Sequence, residues 1–402
     1  MVAHARTSGE YRVTTEKLNE KRMKTIYKSI WMFAVAFALT TLYTACSDDD
    51  LPNNGEPRIR YIRITDPASA DSLLVAGYQD NLIVIVGENL QDAREIWFND
   101  QPGPLVSTFI TNTTIFTVVP PDIPLVVTNK LTIVFGNGKT LEHDFQVEIS
   151  EPEIASMDCE YVLTGEVATI RGSFFYEPLT VLFTGGVTGE VMKVEDNILE
   201  VKVPDGAEPG PITVTTNFGE AQSDFWFRDN RNIFVSSDPF TGWWNSDYVV
   251  TNPGPGDPPS INGNYIRVKK IVAAWAWTEV AGGPASAMGD ISKNIPDEAI
   301  LKPEDYNFKF EVNTMKPYNN NVIKFNIGIL SEFNDEYRWL PPYDTQGKWE
   351  TVVIPFEQIA ATLPIETVNP DGYWTRILFH GPGELDADIS FDNLRVVPKS
   401  LE

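Results

Sequence analysis

The sequence predicts an all-β protein built from several β-sandwiches. Short apolar segments rich in β-branched residues, such as 82–86, 114–119 and 131–135, are bounded by Gly, Pro or Asn. Segments of this kind follow one another at short intervals, as the strands of antiparallel sandwiches do. The 402 residues exceed what a single hydrophobic core organises, so more than one domain is expected.

An internal repeat defines the first two domains. The segment LIVIVGENLQDAREIWFND aligns with VATIRGSFFYEPLTVLFTG, which places Gly87 against Gly172. Further along, Pro120 aligns with Pro204 at nearly the same offset. These landmarks indicate a duplicated domain of about 85 residues. We expect the two glycines to serve turns that need a positive φ and assign them no chemistry.

At these residues the chain resembles the IPT/TIG domains, a family of immunoglobulin-like sandwiches in which an apolar strand runs into a glycine-containing turn. The resemblance implies a first IPT/TIG domain at 57–150 and a second at 151–227. The remaining section, 228–402, does not repeat the first two and is expected to form a third domain. Its last strand, ISFDNLRV, alternates apolar and polar residues. That strand resembles the final strand of jelly-roll carbohydrate-binding modules, which implies a jelly-roll-like β-sandwich.

Residues 24–50 have the pattern of an export signal. Lys24 and Lys28 precede an apolar run too short to span a bilayer, and small residues lead to Cys46. The segment resembles the lipobox of bacterial lipoproteins, whose cysteine is acylated, and the following SDDD resembles the acidic surface-export tag of Bacteroidetes lipoproteins. These resemblances imply a lipid anchor at Cys46 and a location on the outer face of the outer membrane. A plain secretory signal followed by an unmodified Cys46 is the alternative.

The N-terminal boundaries follow from this pattern. We expect residues 1–22 to precede the true start at Met23, and residues 1–45 as a whole to comprise this extension plus the signal peptide. Residues 46–56 are expected to be the lipidated cysteine and a linker. Neither segment is counted as part of the fold.

The charge excludes several classes of partner. The chain carries a formal charge of -25, and residues 1–45 contribute seven Lys or Arg against three Asp or Glu, so the mature protein stands near -29. Such a surface repels nucleic acid and anionic lipid, so membrane attachment must be covalent.

The few cysteines and histidines exclude other kinds of site. With Cys46 lipidated, Cys159 has no disulfide partner, and three histidines cannot build a Cys/His metal cluster. No cofactor or metal is predicted. Asp238 and Asp392 are expected to accept hydrogen bonds in turns rather than to bind calcium, which needs six or more oxygens.

Seven of the ten tryptophans lie in the third section. An aromatic ring can stack on the apolar face of a sugar while neighbouring polar groups bond its hydroxyls. Tyr337 and Trp339 share one strand face in YRWLPPYD, and Tyr373 and Trp374 are adjacent in DGYWTR, beside Arg376. Adjacent strand residues cannot both enter one core, so one ring of the second pair is expected to face solvent.

The other tryptophans divide by context. Trp275 and Trp277, which point to one side of AWAW, are left open between core and site. We expect Trp349 to be buried in the core, and packing roles are favoured for Trp97, Trp226, Trp243 and Trp244.

The third section also contains the segments GWW, AWAW, YRWLPP, GKWETVVIPF and FDNLRVVP. Through these segments it resembles the surface glycan-binding proteins of Bacteroidetes polysaccharide-utilisation systems. That family is best known for a xyloglucan-binding member. The resemblance implies non-catalytic binding of a polysaccharide of the β-glucan or xyloglucan type. It also implies a TonB-dependent outer-membrane transporter and its lipoprotein lid as partners. Carried over by motif, the glycan-binding residues are Trp339, Tyr373, Trp374, Tyr337, Trp277 and Arg376.

Two other functions stay open at this point. A surface adhesin or scaffold that binds protein would show a contiguous apolar patch. A glycoside hydrolase would need two carboxylates flanking one groove, for which the sequence offers Glu332, Asp335, Glu336, Asp371 and Glu384.

Overall fold

The computed structural model describes residues 55–66, 73–243, 246–328, 337–360 and 368–400. Their strands form three successive groups of sheets, and the predicted all-β class is confirmed. Outside the described residues lie Cys46, the predicted signal segment, residues 47–54 of the predicted linker, Trp244 and the acidic residues at 332, 335 and 336. No helix in the described ranges is both long and apolar enough to span a bilayer.

The first group contains nine strands. They are β1 (Arg58–Ile64), β2 (Ala76–Tyr78), β3 (Leu82–Glu88), β4 (Ala93–Phe98), β5 (Gln101–Gly103), β6 (Thr114–Val118), β7 (Lys130–Phe135), β8 (Thr140–Asp144) and β9 (Gln146–Glu148). The sheets β1-β3-β6 and β5-β4-β7-β8 enclose one apolar core, and β2 pairs with β9 in parallel.

The second group repeats this plan. Its strands are β10 (Glu153–Met157), β11 (Val167–Ser173), β12 (Leu179–Phe183), β13 (Val187–Thr188), β14 (Glu190–Glu195), β15 (Ile198–Lys202), β16 (Ile212–Thr216) and β17 (Gly219–Gln222). The sheets β10-β11-β15-β14 and β13-β12-β16-β17 enclose a separate core.

The repeated glycines have a different reason from the predicted one. Neither Gly87 nor Gly172 has a positive φ; the residues with positive φ are Asn89 and Phe174, two positions later in each repeat. A Cβ on Gly87 would lie 2.1 Å from the Arg58 carbonyl oxygen, and one on Gly172 would lie 1.9 Å from that of residue 153. The glycines are therefore needed because a neighbouring strand approaches closely at a bulge in both repeats.

The third group contains ten strands and three short helices. The strands are β18 (Ile233–Val235), β19 (Val249–Val250), β20 (Tyr265–Val272), β21 (Thr278–Gly283), β22 (Tyr306–Thr314), β23 (Ile323–Gly328), β24 (Tyr337–Trp339), β25 (Trp349–Pro355), β26 (Trp374–Phe379) and β27 (Leu385–Pro398). The α-helices are α1 (Ala285–Met288), α2 (Asp297–Leu301) and α3 (Phe356–Ala360).

Two antiparallel sheets form the C-terminal sandwich. One has the order β19-β20-β27-β22-β25, with β18 added beside β27, and the other has the order β21-β26-β23-β24. Side chains from both sheets meet in a single large core, which includes Phe308, Phe310, Phe325 and Phe391. The predicted third β-sandwich is confirmed.

The second domain and the C-terminal sandwich share a buried contact. Cys159 and Tyr161 of the second domain pack with Tyr265 and Trp349 of the sandwich. The Trp349 indole Nε1 donates to the Pro259 carbonyl oxygen at 2.8 Å. Trp349 is thus buried as predicted, but between two domains rather than within one core. Burial also raises the pKa of the Cys159 thiol, which is free and buried, so it stays protonated at neutral pH.

A buried charge network crosses the same contact. The Arg395 guanidinium lies between Glu311 of its own sandwich (Nη1 to Oε2, 2.8 Å) and Glu160 of the second domain (Nη2 to Oε2, 2.6 Å). The other oxygen of Glu160 is 2.6 Å from Lys309 Nζ. Two cations thus face two carboxylates away from water. The Thr351 hydroxyl accepts a hydrogen bond from the Glu160 backbone amide and donates one to Glu311 Oε1. Removing one member would leave buried charges without compensation.

We predict that Arg395→Met lowers the free energy of unfolding by about 3–5 kcal/mol, because Glu160 and Glu311 would keep buried negative charge without a cation between them. Denaturation in urea measures the change. Arg171→Met is the matched control: its pair with Asp158 is solvent-exposed, so a loss of about 0–1 kcal/mol is expected. Equal losses in the two variants would contradict this account of the interface.

Candidate functional site

Strand β26 sorts its side chains between the core and the opposite face of its sheet. Ile377 and Phe379 belong to the core of the sandwich. Because side chains alternate along a strand, Trp374 and Arg376 lie on the other face. Arg376 is flanked by Gly282 of β21 and by Asn326 of β23. This outer face carries the strongest concentration of exposed aromatic rings in the sandwich.

Four tryptophans come together on this side of the sheet. The Trp243 ring meets the Trp374 ring edge-on, with centroids 5.3 Å apart. The Arg376 guanidinium lies 5.6 Å from the Trp374 centroid and 5.5 Å from that of Trp277. Trp277 contacts the His380 imidazole at 5.0 Å, and Trp275 contacts the same imidazole at 5.6 Å.

We name this set the tryptophan surface: Trp243, Trp275, Trp277 and Trp374, with Glu279, Arg376 and His380. The exposed fractions are 58% for Trp243, 62% for Trp275 and 48% for Trp277. Single exposed aromatic residues are ordinary, but several grouped on one face mark an interaction site.

Glycines fix the loop that carries Trp243. The Trp243 amide donates to the Gly282 carbonyl oxygen at 3.0 Å, and Gly242 pairs with Gly282 in an isolated bridge. Gly242 has φ +120°, and a Cβ there would lie 2.5 Å from the Gly282 carbonyl oxygen. Only glycine therefore allows this loop to reach the edge of the sheet and place Trp243 beside Trp374.

Trp275 is held in an unusual conformation. Its φ is +59°, in the left-handed region that bulky residues seldom adopt. The hydrogen bond from its amide to the Gly381 carbonyl oxygen, at 2.7 Å, retains that conformation. Such strain is found preferentially at sites that hold a ligand.

The electrostatics of the surface centre on Glu279. Its Oε1 accepts a hydrogen bond from the Trp277 indole Nε1 at 2.6 Å, and its Oε2 is 3.1 Å from Arg376 Nε. Burial raises the pKa of Glu279, while the hydrogen bond from Trp277 and the charge of Arg376 oppose that rise. The polar groups of the surface are thus interleaved with its rings.

The structure corrects part of the predicted platform. Trp339 is 9% exposed, and its ring packs against Phe310, Tyr318 and Tyr343. Tyr373 is 1% exposed. Both residues belong to the apolar core, so neither offers a ring face to solvent.

Tyr337 and Trp339 share one face of β24, as predicted. That face points inward, so Tyr337 is half-buried against the same core. The platform of Trp339, Tyr373 and Trp374 is not formed. Among the residues carried over by motif, the structure brings together Trp374, Trp277 and Arg376.

The sequence reasoning missed four members of the surface: Trp243, Trp275, Glu279 and His380. The sequence does not decide whether Trp275 belongs to the core or to the site. The spacing of AWAW could have placed it beside Trp277, since both tryptophans contact the His380 imidazole. Trp243 could not be placed, because its position depends on the distant contact with Gly282.

The remaining predicted roles have plainer outcomes. Trp97 and Trp226 are half-buried in the first two domains. Asp238 accepts the Asn264 amide and Asp392 accepts the Asn393 amide, both at hydrogen-bonding distance. Within the described ranges, no three His, Cys, Asp or Glu side chains are grouped so as to hold a metal ion.

Comparison with known proteins agrees with this geometry. Residues 227–398 match the family described as the surface glycan-binding protein B xyloglucan binding domain. The C-terminal domain is therefore similar to this family. The match includes every member of the tryptophan surface, and the predicted family resemblance is confirmed.

Similar proteins extend the likeness beyond this domain. An IPT/TIG domain-containing protein of Bacteroides ovatus is 28% identical over 206 residues, which are 49% of this chain and 39% of the relative, so the chain spans well under half of that protein. Its description agrees with the predicted IPT/TIG domains.

Two solved structures are also similar. The crystal structure of the surface glycan-binding protein PbSGBP-B from Prevotella bryantii aligns with a TM-score of 0.61 and 24% identity, over 86% of this chain and 99% of that one. This likeness supports the shared fold. An SGBP-B from a complex xyloglucan utilization locus in Bacteroides uniformis aligns with a TM-score of 0.49 and 17% identity, over 86% of this chain and all of that one (100%).

The burial of Trp339 generates a prediction about stability. Trp339→Ala removes a large ring from the core and is expected to lower the free energy of unfolding by about 3–5 kcal/mol. Trp275→Ala removes an exposed ring and is expected to change it by less than about 1 kcal/mol. Chemical denaturation of the two variants measures both values. A small loss for Trp339→Ala would return this residue to the candidates for an exposed platform.

Proposed function

We propose that this protein is a cell-surface glycan-binding protein that captures a β-glucan or xyloglucan chain on the tryptophan surface without cleaving it. The observation that carries the proposal is the contiguity of Trp243, Trp374, Trp277 and Trp275 on one face of the C-terminal sheet. The family description of this domain as xyloglucan-binding supports the class of ligand.

The chemistry of the surface suits a neutral sugar chain. Ring faces stack on the apolar faces of successive sugar units, and each contact adds a modest stabilisation. His380 lies beside Trp275 and Trp277 and can bond sugar hydroxyls. Glu279 and Arg376 are largely buried and hold each other and Trp277 in place. A shallow surface of this kind buries limited area, so weak to moderate affinity for each sugar segment is expected.

The acidic groups of the surface support capture without cleavage. Hydrolysis of a glycoside usually requires two carboxyl groups about 5–10 Å apart across the bond. Glu279 contacts the rings, but Trp277 and Arg376 occupy its two oxygens. Of the five acids that the sequence offered for hydrolysis, Asp371 and Glu384 lie in the described residues, and both are exposed side chains.

The rest of the chain would present this surface away from the cell. A lipid anchor at Cys46 would hold the protein on the outer face of the outer membrane, with the two IPT/TIG domains, proposed at 57–150 and 151–227, acting as a spacer before the glycan-binding domain at 228–402. The buried contact around Arg395 supports a fixed orientation of the second domain against the third. Captured glycan would pass to a TonB-dependent transporter and its lipoprotein lid.

An adhesin that binds protein is the second candidate. It would favour a contiguous apolar patch, and large apolar side chains are indeed exposed here. The pair Glu279 and Arg376 favours the glycan instead, because it lies between the rings and so separates them with polar groups rather than leaving one continuous apolar patch.

We predict that Trp277→Ala and Trp243→Ala each lower affinity for soluble xyloglucan or mixed-linkage β-glucan by at least about tenfold, since each removes a stacking ring. Affinity electrophoresis through gels containing each polysaccharide, with mannan and fructan gels beside them, measures the retardation. Tyr78→Ala is the matched control, because Tyr78 is an exposed aromatic residue of the first domain.

Each outcome of this experiment is informative. Retardation of the wild type and of Tyr78→Ala, but not of the two tryptophan variants, is the expected result. Retardation that persists in both tryptophan variants would place the glycan site elsewhere. If no glycan retards the wild type, the adhesin becomes the preferred function.

A further inference from the structure

Trp277 is an exposed ring that a hydrogen bond holds in place. It lies directly before strand β21, and about half of its surface is open to solvent. An exposed indole ring can rotate about its side-chain bonds, and each orientation lost on binding costs conformational entropy. The hydrogen bond from its Nε1 to Glu279 Oε1, at 2.6 Å, removes much of that freedom before any ligand arrives.

Glu279 is also tied to the centre of the surface. Its second oxygen is 3.1 Å from Arg376 Nε, and its side chain is 12% exposed. The Arg376 guanidinium lies between the rings of Trp277 and Trp374. One carboxylate therefore links the orientation of Trp277 to the cation that separates the two rings.

We propose that Glu279 is a positioning residue for glycan capture, which sets the angle of the Trp277 ring and the place of Arg376 without itself having to touch the sugar. This inference rests on the proposed function and deepens it. The carboxylate suits this role because one oxygen accepts the Trp277 hydrogen bond while the other faces the Arg376 cation, whereas a neutral amide at the same place would carry no charge and one acceptor oxygen only.

The same geometry makes capture sensitive to pH. Since burial raises the pKa of Glu279, the group takes up a proton at a higher pH than an ordinary glutamate does. Protonation removes the negative charge that accepts the Trp277 hydrogen bond and pairs with Arg376. The affinity for glycan is therefore expected to fall as the pH falls through the pKa of Glu279 and to be fully present above it.

Other charged groups around Glu279 must be separated from this effect. Arg376 on β26 faces it directly, and Lys324 on β23 lies beyond Leu378 on the same face. Both keep their positive charge on acidification. His380, which contacts Trp277, is also titratable. A Glu279→Gln variant retains all three, so the difference between its pH profile and that of the wild type isolates Glu279.

The chain offers a matched control for the hydrogen bond. In the first domain, Trp97 Nε1 donates to Glu95 Oε2 at 3.0 Å, again between a Trp and a Glu two residues apart on an exposed face. Glu95→Gln therefore makes the same chemical change to the same kind of pair, far from the tryptophan surface along the chain.

The test is isothermal titration of the purified protein with soluble xyloglucan and with soluble mixed-linkage β-glucan, from pH 4 to pH 8. At pH 7 we expect Glu279→Gln to bind about tenfold more weakly, the loss that a charged hydrogen bond typically gives, and Glu95→Gln to bind as the wild type does. Glu279→Asp, which keeps the charge but is one methylene shorter, should also bind more weakly. The pH dependence of the wild type should be reduced in Glu279→Gln.

Contrary results separate this inference from the function on which it rests. If Trp277→Ala loses binding while Glu279→Gln binds as the wild type does across the pH range, the positioning role is wrong and the proposed function stands. If Glu279→Asp binds as the wild type does, charge alone matters and positioning is again wrong. If the wild type binds neither polysaccharide, the proposed function fails, and this inference fails with it.

Discussion

The alternation of side chains along strand β26 is the constraint on which the candidate site depends. Tyr373, next to the start of the strand, enters the core, and Trp374 therefore lies on the opposite face with Arg376. A shift of one residue in the pairing with β23 would exchange these faces and bury the guanidinium in the apolar core. The register of one strand thus decides which rings can meet a sugar.

A second constraint connects this sandwich to the domain before it. Arg395 lies on β27 of the other sheet, with no exposed surface, and bonds carboxylates from both domains. A buried network of this kind contributes little net stability compared with apolar packing, but its geometry is specific, since a displaced partner would leave charge without compensation. It therefore suits a fixed angle between the second domain and the glycan-binding domain.

Much of the fold could be predicted from the sequence, because apolar periodicity and an internal repeat are local signals. The site could be predicted only in part. The pair Tyr373 and Trp374 was found, and alternation showed that one ring must face outward, but not which one. Trp339 was misplaced because an aromatic residue beside a charged one, here Arg338, looks the same at a surface and at the edge of a core. Trp243 joins the surface through Gly282, a contact between distant positions that no local pattern contains.

Protection of individual rings by a bound glycan tests the central claim most directly. Hydroxyl-radical footprinting with peptide mass spectrometry, with and without soluble xyloglucan or mixed-linkage β-glucan, reports the exposure of each tryptophan separately. The account predicts that glycan lowers the oxidation of Trp243, Trp275 and Trp277 together and leaves that of Trp97 unchanged. Protection confined to residues outside the tryptophan surface, or unchanged oxidation under conditions where the glycan is bound, would contradict it.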